Sequence, residues 1–129
     1  MQNDISKLKT YLYAAFKEIM NDDIYSHTGN KKYRIFIYIA VFGCIHINDL
    51  YVIFPSETLL SSGKNNSEIL NIWGTRLNYL SYKNNGLEKL KQPGYYTLSS
   101  YGIHILYDHL QFKGYFGEVS FKQFYDTVK

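Results

Sequence analysis

Asn71, Thr75, Asn78 and Tyr82 follow one another at spacings of four, three and four residues. On an α-helix such spacings put all of them on one face. Short amides and hydroxyls carry both donors and acceptors, so the face can meet the edges of base pairs, and an Asn amide can engage adenine through two hydrogen bonds. Tyr79, Tyr82 and Lys83 supply donors for phosphates, which position a protein on a duplex. Arg76 either reaches toward the same partner or pairs with an acid inside the domain. Farther along, Lys89 and Lys91 share one face of an extended run with Leu87 and add two cations.

These side chains need a helix and a hairpin to hold them. Residues 69–85 predict the helix, with Ile69, Trp73, Leu77 and Leu80 on its dry face. Ser67 is placed to cap it, and Glu68 sits in the first turn, where the helix dipole favours an acid. Gly86 supplies the left-handed residue that ends it. Leu87–Lys91 and Tyr95–Ser99 predict two strands, joined by Gln92-Pro93-Gly94 as a type II turn. Ser99 or Ser100 then caps a helix running to Phe112. Helix, hairpin, helix is the back half of a winged helix-turn-helix. In that fold residues 69–85 enter the major groove of double-stranded DNA and the wing, residues 87–99, touches its backbone.

The remaining segments complete a fold that is mainly α with a small β-hairpin, carrying an extra N-terminal helix and a short C-terminal helix. Asn3 or Asp4 caps the first helix, which runs to Asn21 with Leu8, Tyr11, Leu12, Ala15, Phe16 and Ile19 as its apolar stripe. That stripe either pairs with its counterpart in a homodimer or packs on its own domain. Asp22–Asn30 reads as a loop. Lys31–Phe42 is apolar nearly all round, as a core helix is, and Gly43 ends it. Cys44–Ile47 fits a short strand, and Asn48 or Asp49 caps a brief helix to Phe54. Pro55–Ser67 is a long turn. Beyond Gly114 and Gly117, Ser120–Val128 forms a short last helix. The expected division is 1–30, an N-terminal helix and loop; 31–114, the winged helix; and 115–129, a C-terminal helical segment.

The chain has 129 residues and a net charge of +3. This permits nucleic-acid binding without demanding it. Between Lys31 and Lys91 eight basic residues (Lys31, Lys32, Arg34, Lys64, Arg76, Lys83, Lys89, Lys91) face four acids, whereas the flanks hold six basic and seven acidic residues. The excess lies in the segment with the binding pattern. A single cysteine, Cys44, excludes an internal disulfide and reads as a small buried hydrophobe. The first residues lack a signal-peptide profile, and the apolar run Ile35–Ile45 is too short to span a bilayer. A cytoplasmic location, with no membrane association, follows as the expectation.

Enzyme chemistry finds no foothold in the pattern. The phosphate-binding loop G-x-x-x-x-G-K is missing. Glu118 and Lys122 alone do not make the acid cluster that a nuclease needs to hold its metal. His27, His46, His104 and His109 are scattered and lack the spacing of a metal site. We expect no catalytic activity, no cofactor, no metal and no small-molecule ligand.

Trp73, Arg76, Leu80, Gly86, Leu87, Tyr96, Leu98, Ser99 and Gly102 carry a resemblance. The run from Ile72 to Gly102 resembles the N-terminal winged-helix domain of Mrr-type restriction endonucleases. That domain has a Trp and an Arg in its third helix, then a Leu, a Gly-Leu pair, a short wing and a Tyr-x-Leu-Thr-x-x-Gly segment. The resemblance implies DNA recognition. It does not carry cleavage over, because this chain has no room for a nuclease domain beside the winged helix. The expected role is a small transcriptional regulator or DNA-binding accessory protein. The alternatives are a protein-interaction winged helix, as an inhibitor or complex subunit, and a stand-alone recognition subunit of a restriction system.

Overall fold

The computed structural model describes residues 2–27, 29–54, 66–82, 85–114 and 119–129. The chain is mainly helical, with a small antiparallel sheet of three strands. Helices are α1 (Gln2–Asn21), α2 (Lys31–Phe42), α3 (Leu50–Ile53), α4 (Asn66–Ser81), α5 (Ser100–Phe112) and α6 (Phe121–Val128). Strands are β1 (Ile45–His46), β2 (Leu87–Lys89) and β3 (Tyr95–Leu98). The order is β1-β3-β2, so β3 is central, with Ile45 opposite Tyr96 on one side and Leu87 opposite Leu98 on the other. The hairpin is therefore a sheet of three strands, because the short run after Gly43 pairs with it.

α2 is the axis of the core. Ile35, Phe36, Ile37 and Ile39 are all buried, and α1, α3, α5, β1 and β3 pack around them. The α1 face formed by Leu8, Leu12, Ala15 and Ile19 is covered by α2 and α6 of the same chain. Burying each of its large aliphatic side chains contributes about 1.5–3 kcal/mol, which holds α1 in place. Tyr11 and Tyr13 remain on its surface. The helix already begins at Gln2, so Asn3 and Asp4 lie in its first turn rather than at its cap.

The stretch expected to be a plain loop after α1 contains a 3-10 turn, Asp23–Ser26, which buries Tyr25. The Tyr25 hydroxyl lies 2.6 Å from Nε2 of His109 on α5, and the His109 ring stacks on Tyr33 of α2 at 3.9 Å. Burial pushes the Tyr25 phenol up and the His109 imidazole down. The pair is thus a neutral phenol beside a neutral imidazole.

Arg34, one of the eight basic residues counted between Lys31 and Lys91, is buried in the core. Its Nε donates to the Ile19 carbonyl (3.2 Å), one terminal nitrogen to Ile53 (3.1 Å) and the other to Asp22 (3.0 Å). It joins the end of α1 to the end of α3, taking carbonyls that helix termini leave unpaired. Its guanidinium also lies 5.6 Å from the centre of the Phe54 ring.

Short elements differ from the pattern for local reasons. The turn before α3 is capped by His46, whose Nδ1 accepts from the Asn48 N–H while the Asp49 carboxylate accepts from the His46 N–H. Asp49 is the N-cap position of α3 itself but makes no side-chain cap bond there. Cys44 is half-buried rather than fully enclosed. Among the described residues no helix is long and apolar enough to cross a membrane. The segment Pro55–Asn65, with the long turn expected there, lies outside the described residues.

Candidate nucleic-acid interface

α4 spans Asn66–Ser81 rather than 69–85. It begins before Ser67, so Ser67 is not its cap. At the other end the Ser81 hydroxyl donates to the Asn78 carbonyl and the Asn85 amide donates to the Tyr79 carbonyl. Those side chains satisfy last-turn carbonyls and let the chain leave the helix before Gly86. Gly86, at φ +129°, serves the entry to β2. A Cβ on it would overlap the Phe36 ring.

Of the four residues expected on the dry face of α4, the side chain of Ile69 lies outside the described residues. Trp73, Leu77 and Leu80 are buried, and the Trp73 ring meets Tyr51 of α3 edge-on at 4.6 Å. This packing fixes which face of α4 remains outside. Asn71, Thr75, Asn78, Tyr79 and Tyr82 are all exposed, with Tyr79 and Tyr82 at 67% and 65%.

Between this face and β2 runs an open groove of about 770 Å³. Thr75, Asn78, Tyr79, Ser81 and Tyr82 line one wall, and Leu87, Glu88 and Lys89 line the other. Five of the residues singled out by spacing therefore meet in one concavity: Thr75, Asn78, Tyr79, Tyr82 and Lys89. Asn71, Arg76 and Lys91 are not among its lining residues. Asn71 is exposed farther up α4, and Lys91 is exposed in the turn beyond β2, which ends at Lys89. Arg76 lies with its guanidinium 5.9 Å from the Phe54 ring centre. Lys83 is outside the described residues.

Hydrogen bonds narrow what the exposed groups can offer. The Thr75 hydroxyl donates back to the Asn71 carbonyl (2.9 Å), leaving its lone pairs and methyl group outward. The Asn78 Oδ1 accepts from the Tyr96 hydroxyl of β3 (3.0 Å). Burial pushes the Tyr96 phenol up, so it stays a donor at neutral pH. Asn78 is thereby oriented by the sheet, with its Nδ2 hydrogens as its remaining donors.

The β2–β3 hairpin is braced from the side of β1. The Gln92-Pro93-Gly94 turn closes with Tyr95 N–H on the Gln92 carbonyl (3.3 Å), and Gly94 takes the positive φ of +85° that a type II turn requires. The Gly94 carbonyl accepts from the Ile47 N–H (3.2 Å), and the His46 ring stands over the Gly94 Cα. Ile47 N–H and His46 thus anchor the hairpin turn to the segment that starts α3.

The charge excess read from the sequence is distributed unevenly in space. Arg34 is buried, and Lys31, Lys32 and Arg76 are half-buried beside aromatic rings. Lys89 and Lys91 are exposed on the hairpin. Glu88, counted in the sequence only as an opposing acid, lines the groove between them and α4. Its position follows from pairing with Thr97 across the sheet, which no local signal encodes.

Compared with known protein families, with curated proteins and with solved structures, the chain matches none.

Proposed function

We propose that the protein binds double-stranded DNA as a winged helix-turn-helix, with α4 as the groove-reading helix and the β2–β3 hairpin as the wing. The observation that carries this reading is the convergence of Thr75, Asn78, Tyr79, Tyr82 and Lys89 on one open groove beside an exposed helix face. A helix of sixteen residues with one buried and one polar side has the dimensions that a major groove admits. The two exposed hairpin lysines lie where a wing meets phosphates. The likeness to Mrr-type recognition domains is supported by the structural work of its marker residues: Trp73, Leu87, Leu98 and Ser99 are buried, and Gly86 and Gly102 sit where side chains do not fit. On this reading the chain recognises DNA as a regulator or accessory protein and does not cut it.

Fluorescence anisotropy on a random-sequence duplex at several salt concentrations tests the proposal. Affinity is expected to fall steeply with salt, and Lys89→Ala/Lys91→Ala to reduce the log–log slope by about two, since each phosphate contact accounts for about 0.9. Absence of binding at low salt, or an unchanged slope in the double variant, overturns it.

A protein-interaction role is the second reading. Tyr13, Phe16, Tyr38 and Phe42 form a continuous aromatic group on the α1–α2 surface, with Phe42 56% exposed. Such a patch suits a protein partner. Retention of a partner in high salt by the wild type, lost in Phe42→Ser, distinguishes this reading from the first.

A further inference from the structure

Hydrogen bonds made within the protein leave the polar groups of α4 with one polarity each to offer. The Thr75 hydroxyl spends its hydrogen on the Asn71 carbonyl and presents an acceptor beside a methyl group. Asn78 is the opposite case. Its Oδ1 accepts from the Tyr96 hydroxyl (3.0 Å), and among the described residues its Nδ2 meets no partner. Tyr96 is 5% exposed. An amide turned the other way round would leave that hydroxyl hydrogen without an acceptor in a largely buried site, so the orientation is held. Accepting the bond also polarises the amide and strengthens donation from its nitrogen.

This polarity decides which base edge suits Asn78. In the major groove adenine presents an acceptor, N7, beside a donor, the N6 amino group. An Asn amide reads that edge by donating from its nitrogen and accepting with its oxygen. Guanine presents two acceptors side by side, N7 and O6. An amide whose oxygen is engaged by Tyr96, and whose nitrogen carries two hydrogens, matches guanine. To read adenine it would have to turn its oxygen outward and abandon the Tyr96 hydroxyl. The facing wall of the groove carries the complement. Glu88 is exposed on β2, lines that wall and has no partner among the described residues. A carboxylate only accepts, and cytosine, the partner of guanine, presents its N4 amino group on the same major-groove edge.

We propose that the groove between α4 and β2 favours a G·C base pair, with guanine on the Asn78 amide, and that Tyr96 is the positioning residue that makes Asn78 a reader of guanine rather than adenine. This inference rests on the DNA-binding reading above.

The test is selection of bound duplexes from a random-sequence pool, followed by competition among the four base pairs at each enriched position. At one position the wild type is expected to favour guanine over adenine by at least about fivefold, the lower end of what a good base contact discriminates. Asn78→Ala identifies that position, because the preference there is expected to vanish. Tyr96→Phe keeps the ring and removes the hydroxyl alone. In it the guanine-to-adenine ratio at that position is expected to fall toward one, while preferences elsewhere in the site and the salt dependence stay those of wild type. A purely structural role of Tyr96 would weaken all probes together and leave the ratio unmoved. Asn78→Asp replaces the donor by acceptors and is expected to shift the preference at the same position to cytosine. Asn78 is a surface position, and circular dichroism checks that each variant keeps the fold. This inference is overturned, with duplex binding left standing, by an adenine preference at the position that depends on Asn78, by no position responding to Asn78→Ala, by a ratio unmoved in Tyr96→Phe, or by a guanine preference that survives in Asn78→Asp. Failure of the wild type to bind any duplex of the pool at low salt overturns both.

Discussion

Gly102, in the first turn of α5, packs directly on the backbone of Gly86: a Cβ at residue 102 would stand 2.9 Å from the Gly86 carbonyl carbon and overlap the carbonyl oxygen. The Ser99 N–H donates to that same carbonyl (3.0 Å), and the Ser99 hydroxyl caps α5 through the Gly102 N–H. The start of β2 and the start of α5 are therefore one joint. In an open helix Gly→Ala stabilises by about 1 kcal/mol. Here over-packing against fixed backbone costs about 1–3 kcal/mol and reverses the sign. Gly102→Ala is expected to lower stability in urea denaturation. Gly86→Ala is expected to lower it further, because it adds backbone strain at φ +129° to the collision with Phe36. A Gly102→Ala protein as stable as wild type contradicts this joint.

Arg34→Met keeps much of the aliphatic stem and removes all three donors to the Ile19, Asp22 and Ile53 carbonyls. Hydrogen bonds from a charged donor contribute about 1.5–3 kcal/mol each, and the freed carbonyls are only partly rehydrated. A net loss of about 2–4 kcal/mol is expected. On the proposed DNA-binding reading, the affinity of the folded fraction is expected to stay unchanged, since the guanidinium is buried in the core. Denaturation and binding titrations on the same sample check both. A weakened Kd without lost stability would contradict this structural role.

Tyr96→Phe removes the hydrogen bond that holds Asn78 Oδ1. A neutral bond of this kind contributes about 0.5–1.5 kcal/mol to stability. The larger expected effect is on discrimination. With Asn78 free to rotate, preference among bound sequences from a random pool should broaden while the salt dependence remains that of wild type. Unchanged selectivity shows that Asn78 does not read the ligand.

The burial of His109, then the charges of Lys113 and Lys32, hold its imidazole below the ordinary 6.5. The unfolded chain therefore binds this proton at a higher pH than the folded one. Its contribution to stability is complete above about 6.5 and is lost as the pH falls from there toward the folded value. His109→Gln retains an acceptor for Tyr25 and removes the titration. The fall in denaturation midpoint on acidification across this window is expected to be smaller in the variant. An identical pH profile rules out His109 as a source of it.

Much of the fold is legible because its signals are local. The run Lys31–Phe42 and its stop at Gly43, the Pro93-Gly94 turn, and the Ser99 cap of α5 all depend on residues within a few positions of one another. The polar spacing along α4 is legible for the same reason. The sequence counts Arg34 only as one more basic residue, because its acceptors, Ile19, Asp22 and Ile53, come from distant segments and are backbone atoms without a sequence signature. His46 is an unusual cap residue, so the pattern favours its polar neighbours instead. The groove wall at Glu88 and the Tyr96–Asn78 contact arise only once β2 and β3 pair beside α4. A one-dimensional pattern ranks helix positions by face, but it does not say which of their atoms are already engaged.

The bond from the Ile47 N–H to the Gly94 carbonyl has a thermodynamic consequence. An unbraced hairpin pays for its own ordering when it docks, and that loss of entropy is subtracted from affinity. Here the segment leading into α3 has already restrained the turn, with the His46 ring over it. A ligand thus meets a surface whose rigidity was supplied during folding. Substitutions at Ile47 or His46, remote from the groove, would then act on binding by returning that disorder to the free protein.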